Sequence, residues 1–284
     1  MTARASALRL FPAAAAALLL LLAPGLHAQT GEPSATAQRL MARSGLAVQL
    51  RGVTDQIVAD IRQNMANIDP GSVERLVESA RHAFRPEAMQ QDIAARVAGK
   101  LSVDDMNVAL AWLDTYAGAR ITHAEEVASG SMDITRLAQY AHRLQTKPLP
   151  AGRQKLIADL ISATGAVRLA AAVAETMALG IALGMDSLQP QERRVGEARL
   201  RAHIRKAMPA DKVQAVYAQQ LPVSYAYTYR EISDADLAAY VGFLNGATGK
   251  RYQEGMNAAF MEGLARASLQ MGESPATRQR QTSL

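Results

Sequence analysis

The chain has 284 residues, of which 49% are apolar, 20% are charged and none is cysteine. This composition is typical of a globular protein, and the absence of cysteine excludes disulfides, thiolate metal sites and cysteine nucleophiles. A formal net charge of +5 is too small a surplus to indicate nucleic acid as a partner.

Residues 1–28 follow the three-part pattern of a secretory signal peptide. Arg4 and Arg9 precede a short apolar stretch over residues 10–23, and a cleavage site follows near Ala28. The apolar stretch is shorter than the roughly 20 residues that a membrane-spanning helix needs, so we expect cleavage rather than anchoring. The sequence therefore predicts a periplasmic or secreted protein, with no later segment apolar enough to cross a membrane.

Nearly everything after residue 36 is predicted to be helical, because apolar residues recur at spacings of three and four. One such stripe covers residues 40–61 and another covers residues 156–177. The alternating run at residues 223–229 also fits a strand, but a lone strand would have no partner, so we interpret it as helix. The predicted fold class is all-α, a multi-helix bundle.

The second half of the chain repeats part of the first. Residues 101–121 align with residues 232–252 without a gap, and five of the 21 positions are identical. A second match places residues 40–53 over residues 160–173. We therefore expect a bundle made of two sequence-related helical halves.

The repeat suggests how the chain is organised. Pro148 and Pro150 mark the join between the halves, because proline interrupts helices. The polar C-terminal end is expected to be disordered. The predicted segments are a signal peptide (1–28), a first half (29–146), a linker (147–152), a second half (153–270) and a disordered tail (271–284).

Each repeated block begins with a helix-capping pattern. A serine stands at the expected N-cap, and an acid three residues later lies near the positive end of the helix dipole. A glycine further on is expected either to end the helix or to admit a neighbouring backbone. These structural positions are the serines Ser102 and Ser233, the acids Asp105 and Asp236, and the glycines Gly118 and Gly249.

The order of these residues resembles the bacterial family called domain of unknown function 2059. The shared pattern is a serine cap, an acid, an apolar helix with an aromatic pair, and a glycine followed by a basic residue; it is closest over residues 233–252. This chain has Phe243-Leu244 where the family has Phe-Tyr, and Ala247-Thr248 in place of a proline break. The resemblance implies an exported, all-helical bacterial protein and brings no established activity and no catalytic residues.

Tyrosine is concentrated in the second half of the chain. Tyrosine and other aromatic side chains are favoured at interfaces, where they supply apolar area and a polar group together. We expect a groove for a ligand or partner, although the same side chains could equally fill the core. The residues expected to line it are Tyr225, Tyr229, Tyr240, Phe243 and Trp112.

Arg194, Arg201 and Arg205 are candidates for contact with a polyanion, because the predicted helix carries arginines on its outer side. Such a stripe could contact an anionic membrane surface peripherally, or it could be a solvated helix face. Aromatic residues are not interleaved with the arginines, so nucleic acid is not expected as a partner.

No catalytic, cofactor or metal-binding motif is recognisable, so no catalytic residue, cofactor or metal site is predicted. His123 and Glu126 share a helix face, but the repeat does not reproduce the pair. Glu78, Glu125 and Glu175 are candidates for catalysis only because they are acids. The sequence predicts a non-catalytic envelope binding protein whose partner is an envelope protein or an apolar or amphipathic ligand. The alternatives are an enzyme acting on cell-wall material and a lipid- or polyanion-associated surface protein.

Overall fold

A computed structural model of the chain describes residues 32–65, 67–130 and 134–273. These residues form an all-α, multi-helix bundle, as predicted. The predicted signal peptide lies outside the described residues, and so does the predicted tail beyond residue 273.

Thirteen α-helices make up the described ranges, together with a short 3-10 turn at Gln191–Arg193 and without a strand. The run at residues 223–229 lies at the end of α11, so its interpretation as helix is confirmed. In chain order the helices are α1 (Glu32–Arg43), α2 (Leu46–Asn64), α3 (Pro70–Ala83), α4 (Pro86–Lys100), α5 (Val103–Leu113), α6 (Tyr116–Gly130), α7 (Ile134–Thr146), α8 (Ala151–Thr164), α9 (Ala166–Ser187), α10 (Glu197–Ala207), α11 (Ala210–Thr228), α12 (Asp234–Asn245) and α13 (Ala247–Gln270).

Helix α9 lies in the middle of the bundle, packed against α10, α11 and α13. It is long and apolar enough to cross a membrane by length and composition, with a mean hydropathy of 1.6 over its most apolar window. The prediction that no segment after the signal peptide is apolar enough to cross a membrane was therefore wrong. Because 56% of that window is buried by the surrounding helices, its apolarity fits a core helix.

Serines cap the helices that open the two repeated blocks. The Ser102 hydroxyl accepts a hydrogen bond from the Asp105 backbone N–H (3.0 Å) at the start of α5. The Ser233 hydroxyl accepts one from the Asp236 N–H (3.1 Å) at the start of α12. Each bond satisfies one of the backbone donors that the first helical turn leaves unpaired.

Gly118 and Gly249 lie in the first turns of α6 and α13, each against the end of the preceding helix. A Cβ at Gly118 would lie 2.2 Å from the carbonyl oxygen of Trp112, and one at Gly249 would lie 2.2 Å from that of Phe243. These glycines were expected either to end a helix or to admit a neighbouring backbone. In the structure they admit the neighbouring backbone and do not end a helix.

Further features of the two halves match. A glycine in the left-handed conformation joins α1 to α2 (Gly45, φ 71°) and another joins α8 to α9 (Gly165, φ 64°). Helix α1 packs against α4 and α5, while α8 packs against α11 and α12. These matches support the internal repeat, which stays a prediction.

Helix α7 is the last helix of the predicted first half and directly precedes the predicted linker. It packs against α11 and has no buried residue. The chain is not helical over residues 147–150, and helix resumes at Ala151, inside the predicted linker.

Arg153, near the start of α8, is a buried arginine that fixes the turn between α11 and α12. Its guanidinium donates hydrogen bonds to the backbone carbonyls of Ile232 (2.8 Å) and Tyr229 (2.5 Å), and to the Asp234 carboxylate (2.6 Å). A buried guanidinium needs such partners, because an unpaired charge in the interior is costly.

Candidate functional site

Two reciprocal ion pairs join the two predicted halves. The Arg120 guanidinium on α6 contacts the Asp236 carboxylate at 3.0 Å, and the Arg251 guanidinium on α13 contacts the Asp105 carboxylate at 2.6 Å. The two arginines are equivalent in the predicted repeat, and so are the two acids. Hydrogen bonding from Arg251 holds the pKa of Asp105 below its usual value. Each half thus supplies an arginine to the capped helix start of the other.

Trp112 and Phe243, also equivalent in the predicted repeat, stack on each other. Their ring centroids lie 5.5 Å apart with nearly parallel planes, and Trp112 stacks on Tyr240 at 6.1 Å as well. Both Trp112 and Phe243 are half-buried, so they belong to the contact between the halves more than to an open surface.

Tyr225, Tyr229 and Tyr240, which were expected to line a groove, lie in the core. None of the three is more than 1% exposed. The rings of Tyr225 and Tyr229 pack edge to face at 5.8 Å. Because all three side chains are enclosed in the hydrophobic core, they cannot contact a ligand or partner in this conformation.

The tyrosines surround a buried acid, Glu125 on α6. The Tyr229 hydroxyl donates a hydrogen bond to the Glu125 carboxyl at 2.9 Å, and the Tyr240 hydroxyl lies near that carboxyl without a hydrogen bond of good geometry. Burial raises the pKa of Glu125 well above its ordinary value, while the hydrogen bond from Tyr229 opposes the shift. Glu125 is 1% exposed, so a ligand in the solvent does not reach its carboxyl, and burial favours the protonated form of this core acid.

An open groove lies on the other side of α6, between α6 and the end of α11. Its cavity volume is about 520 Å³. Tyr116 at its edge is 76% exposed and Val127 is 47% exposed. The lining residues are Tyr116, Ala119, Arg120, His123, Ala124, Val127 and Ala128 from α6, and Tyr227, Thr228, Arg230, Glu231 and Ile232 from α11 and the turn that follows.

One end of this groove is cationic and aromatic. The Arg120 guanidinium lies 5.4 Å from the Tyr116 ring centroid, and the Arg230 guanidinium lies 4.2 Å from that of Tyr227. Both arginines meet at Glu231: Arg120 donates to its backbone carbonyl at 2.7 Å, and Arg230 lies 3.6 Å from its carboxylate.

The other end of the groove is apolar. Ala124, Val127 and Ala128 line it from α6. Val127 lies seven residues beyond Arg120, which corresponds to about 10 Å along the helix axis at a rise of 1.5 Å per residue. Exposed His123 lies between the two ends. The groove is therefore polarised along α6.

A second, smaller cavity of about 310 Å³ lies between α7, α8 and α11. Tyr140 of α7 borders α11 at this point, donating from its hydroxyl to the Ala226 carbonyl at 3.2 Å and packing edge to face on Tyr227 at 5.4 Å. The lining residues are Leu144, Pro148, Leu149, Gln154, Ile157, Ala158, Pro222, Val223 and Ala226.

The arginines expected to contact a polyanion have partners within the protein. Arg201 pairs with Glu197 at 2.6 Å and Arg205 pairs with Glu175 at 2.8 Å. Arg194 donates to two backbone carbonyls near the end of α9. Each of the three arginines thus has a partner within the protein, and their contact with a polyanion stays a prediction.

His123 and Glu126 do not act together in the structure. The Glu126 side chain lies against the α1–α2 turn, with its Cγ 2.7 Å from where a Cβ at Gly45 would be. His123 instead lines the groove. Within the described ranges, no three histidine or acidic side chains are placed to hold a metal ion.

The sequence analysis missed most of the groove. A signal was present, because Tyr116, Arg120, His123 and Val127 follow one another at helical spacings of three and four and therefore share one face of α6. That face combines aromatic, cationic and apolar side chains, which distinguishes it from an ordinary solvated face.

No protein-family model, curated protein or solved structure matches this chain. The resemblance to the domain of unknown function 2059 stays a prediction that rests on the residues of the two repeated blocks.

Proposed function

We propose that the chain is an exported, non-catalytic binding protein of the bacterial envelope, and that the groove between α6 and α11 is its ligand site. The observation that carries the proposal is the exposed apolar and aromatic lining of this groove. Its volume of about 520 Å³ falls in the range of small-molecule sites, which are mostly apolar with a few placed polar groups.

In the predicted repeat, α4 and α13 are the counterparts of α11 and α6, and these two counterparts pack closely against each other. There α4 lies against α13, with Leu101 at Gly255 and Ile93 at Gly263: a Cβ at either glycine would lie within 2.7 Å of that neighbour. The repeat places Ala124 at the position of Gly255. Since the same fold closes one pair, the open groove is a specific feature of the α6–α11 pair, and this supports a role in binding.

The proposal is tested by placing a charge in the apolar end of the groove. Val127 is 47% exposed, so Val127→Asp is expected to leave the fold intact. Val108, on α5 and 42% exposed, provides the matched control Val108→Asp outside the groove lining.

Binding is measured by isothermal titration calorimetry with decyl maltoside below its micelle concentration, a neutral probe with an apolar chain. The wild type and Val108→Asp are expected to bind alike, and Val127→Asp at least roughly tenfold more weakly, because a charge facing the chain would have to be desolvated. Equal binding of the maltoside by the two variants would contradict the proposal, and so would a wild type that binds neither the maltoside nor an anionic amphiphile with the same chain.

A further inference from the structure

We infer that the groove is specific for an anionic amphiphile, whose carboxylate or phosphate group is held by Arg120 and Arg230 while its apolar chain extends toward Val127. This inference rests on the proposed function and adds the chemical class of the ligand and its orientation along α6.

The two guanidiniums form a prepared anion site. Both line the groove: Arg120 binds the Glu231 main-chain carbonyl, Arg230 lies beside the Glu231 carboxylate, and each guanidinium is held against a tyrosine ring. Arg120 donates to Asp236 and to the Glu231 carbonyl, and Arg230 donates to the Tyr227 carbonyl. Because a guanidinium has five N–H donors in a fixed plane, both retain donors that can bind carboxylate or phosphate oxygens.

The carboxylates of Asp236 and Glu231 lie near these guanidiniums and compete with a ligand anion for them. Asp236 is mostly buried and paired with Arg120, where it also belongs to the contact between the halves. The Glu231 carboxylate is 82% exposed and lies 3.6 Å from Arg230. The ligand's anion would therefore compete with Glu231 for Arg230, and an exposed side chain at that distance is a weak competitor.

The apolar chain follows from the shape of the groove. Along α6 the lining changes from Arg120 to Ala124, Val127 and Ala128, whose backbone positions lie about 6–12 Å further along the helix axis. A ligand anion at the arginines thus leaves the rest of the molecule against apolar side chains, where burial of hydrocarbon is favourable. The polarity of the groove fixes the orientation of the ligand.

The test compares three probes that share one chain: decanoate, decyl phosphate and decyl maltoside. Both anions are expected to bind the wild type at least roughly tenfold more tightly than the maltoside. A preference for decanoate indicates a fatty-acid-like ligand and a preference for decyl phosphate a phospholipid-like one, and either preference supports the inference.

Arg230 is the residue to change, because it is exposed and, unlike Arg120, does not join the halves. Arg230→Ala is expected to weaken binding of both anions about tenfold and to leave the maltoside unchanged. Arg201→Ala, at an exposed arginine of α10 outside the groove, is the matched control and should bind like the wild type. Glu231→Gln is expected to strengthen anion binding, since it removes the competing carboxylate.

Equal affinity for the maltoside and the anions, unaltered by Arg230→Ala, would overturn the anionic class while leaving the groove as the binding site. Binding of none of the three probes would overturn the groove itself, so failure of this inference and failure of the proposed function are distinguishable.

Discussion

Glu125→Gln is the substitution from which the structure makes its most quantitative prediction. Glu125 is 1% exposed, and the Tyr229 hydroxyl donates to its carboxyl at 2.9 Å. Glutamine has nearly the same shape, and its amide oxygen can accept the same hydrogen bond, but it cannot ionise. The variant therefore separates the charge of this side chain from its packing.

The magnitude follows from the raised pKa of Glu125. Its ordinary pKa is 4.5, so as the pH rises above about 4.5 the unfolded chain loses this proton while the folded protein keeps it. The stabilising contribution is complete below the unfolded pKa and is lost as the pH rises toward the folded pKa. Over that interval one group changes the free energy of unfolding by about 1.4 kcal/mol per pH unit. Glu125→Gln lacks this loss, so its stability relative to wild type should grow by the same amount per unit.

Urea unfolding followed by circular dichroism, at several pH values between about 5 and 8, measures this difference. Glu126→Gln removes a carboxyl from the adjacent half-buried position and controls for net charge. Glu125→Leu leaves the Tyr229 hydroxyl without its acceptor and should cost about 1–3 kcal/mol relative to Glu125→Gln. A constant difference between Glu125→Gln and wild type across the pH range would refute the neutral buried acid.

Three other substitutions test the packing and the groove. Gly118→Ala should lower the free energy of unfolding by about 1–3 kcal/mol in urea titrations, because its Cβ would overlap the Trp112 carbonyl, whereas Gly99→Ala, with open space around it, should be neutral or stabilise by up to about 1 kcal/mol. Arg153→Ala should cost about 2–3 kcal/mol in the same assay by leaving buried carbonyls unpaired, against less than about 1 kcal/mol for Arg205→Ala at an exposed pair. Tyr116→Ala should change stability by less than about 0.5 kcal/mol yet weaken binding of the decyl probes in calorimetry; unchanged binding would remove Tyr116 from the site.

The helical class was predictable because its signals are local. Helical spacing, serine caps and proline breaks each depend on a few neighbouring residues, and the run at residues 223–229 could be interpreted because a strand needs a partner. The caps at Ser102 and Ser233 have the expected hydrogen bonds for the same reason. Such patterns reflect the chemistry of the chain before any tertiary contact forms.

The site was less predictable because it depends on how helices pack. Tyr229 and Tyr116 both lie in stretches whose residue spacing predicts a helix, yet Tyr229 is fully buried and Tyr116 is 76% exposed. Tyrosine is compatible with either environment, since its ring can be buried while its hydroxyl finds a partner. Glu125 was equally ambiguous, because nothing local to an acid states that other helices will cover it. The groove itself exists only in the packed fold, between α6 and the end of α11.

The predicted repeat offers a comparison for the proposed ligand site on α6. Positions that match between the halves, such as Arg120 and Arg251, join the halves and preserve the fold. Just beyond the aligned block, residues 123–125 differ from residues 254–256: His123 and Ala124 line the groove, and Glu125 lies in the tyrosine core where the second half has a fully buried Met256. An acid is retained at an equally buried position despite the cost of burying it, and the adjacent residues face the open cavity. In the predicted repeat, His123 and Ala124 thus differ from their counterparts where α6 borders the groove, and this difference supports the proposed ligand site on α6.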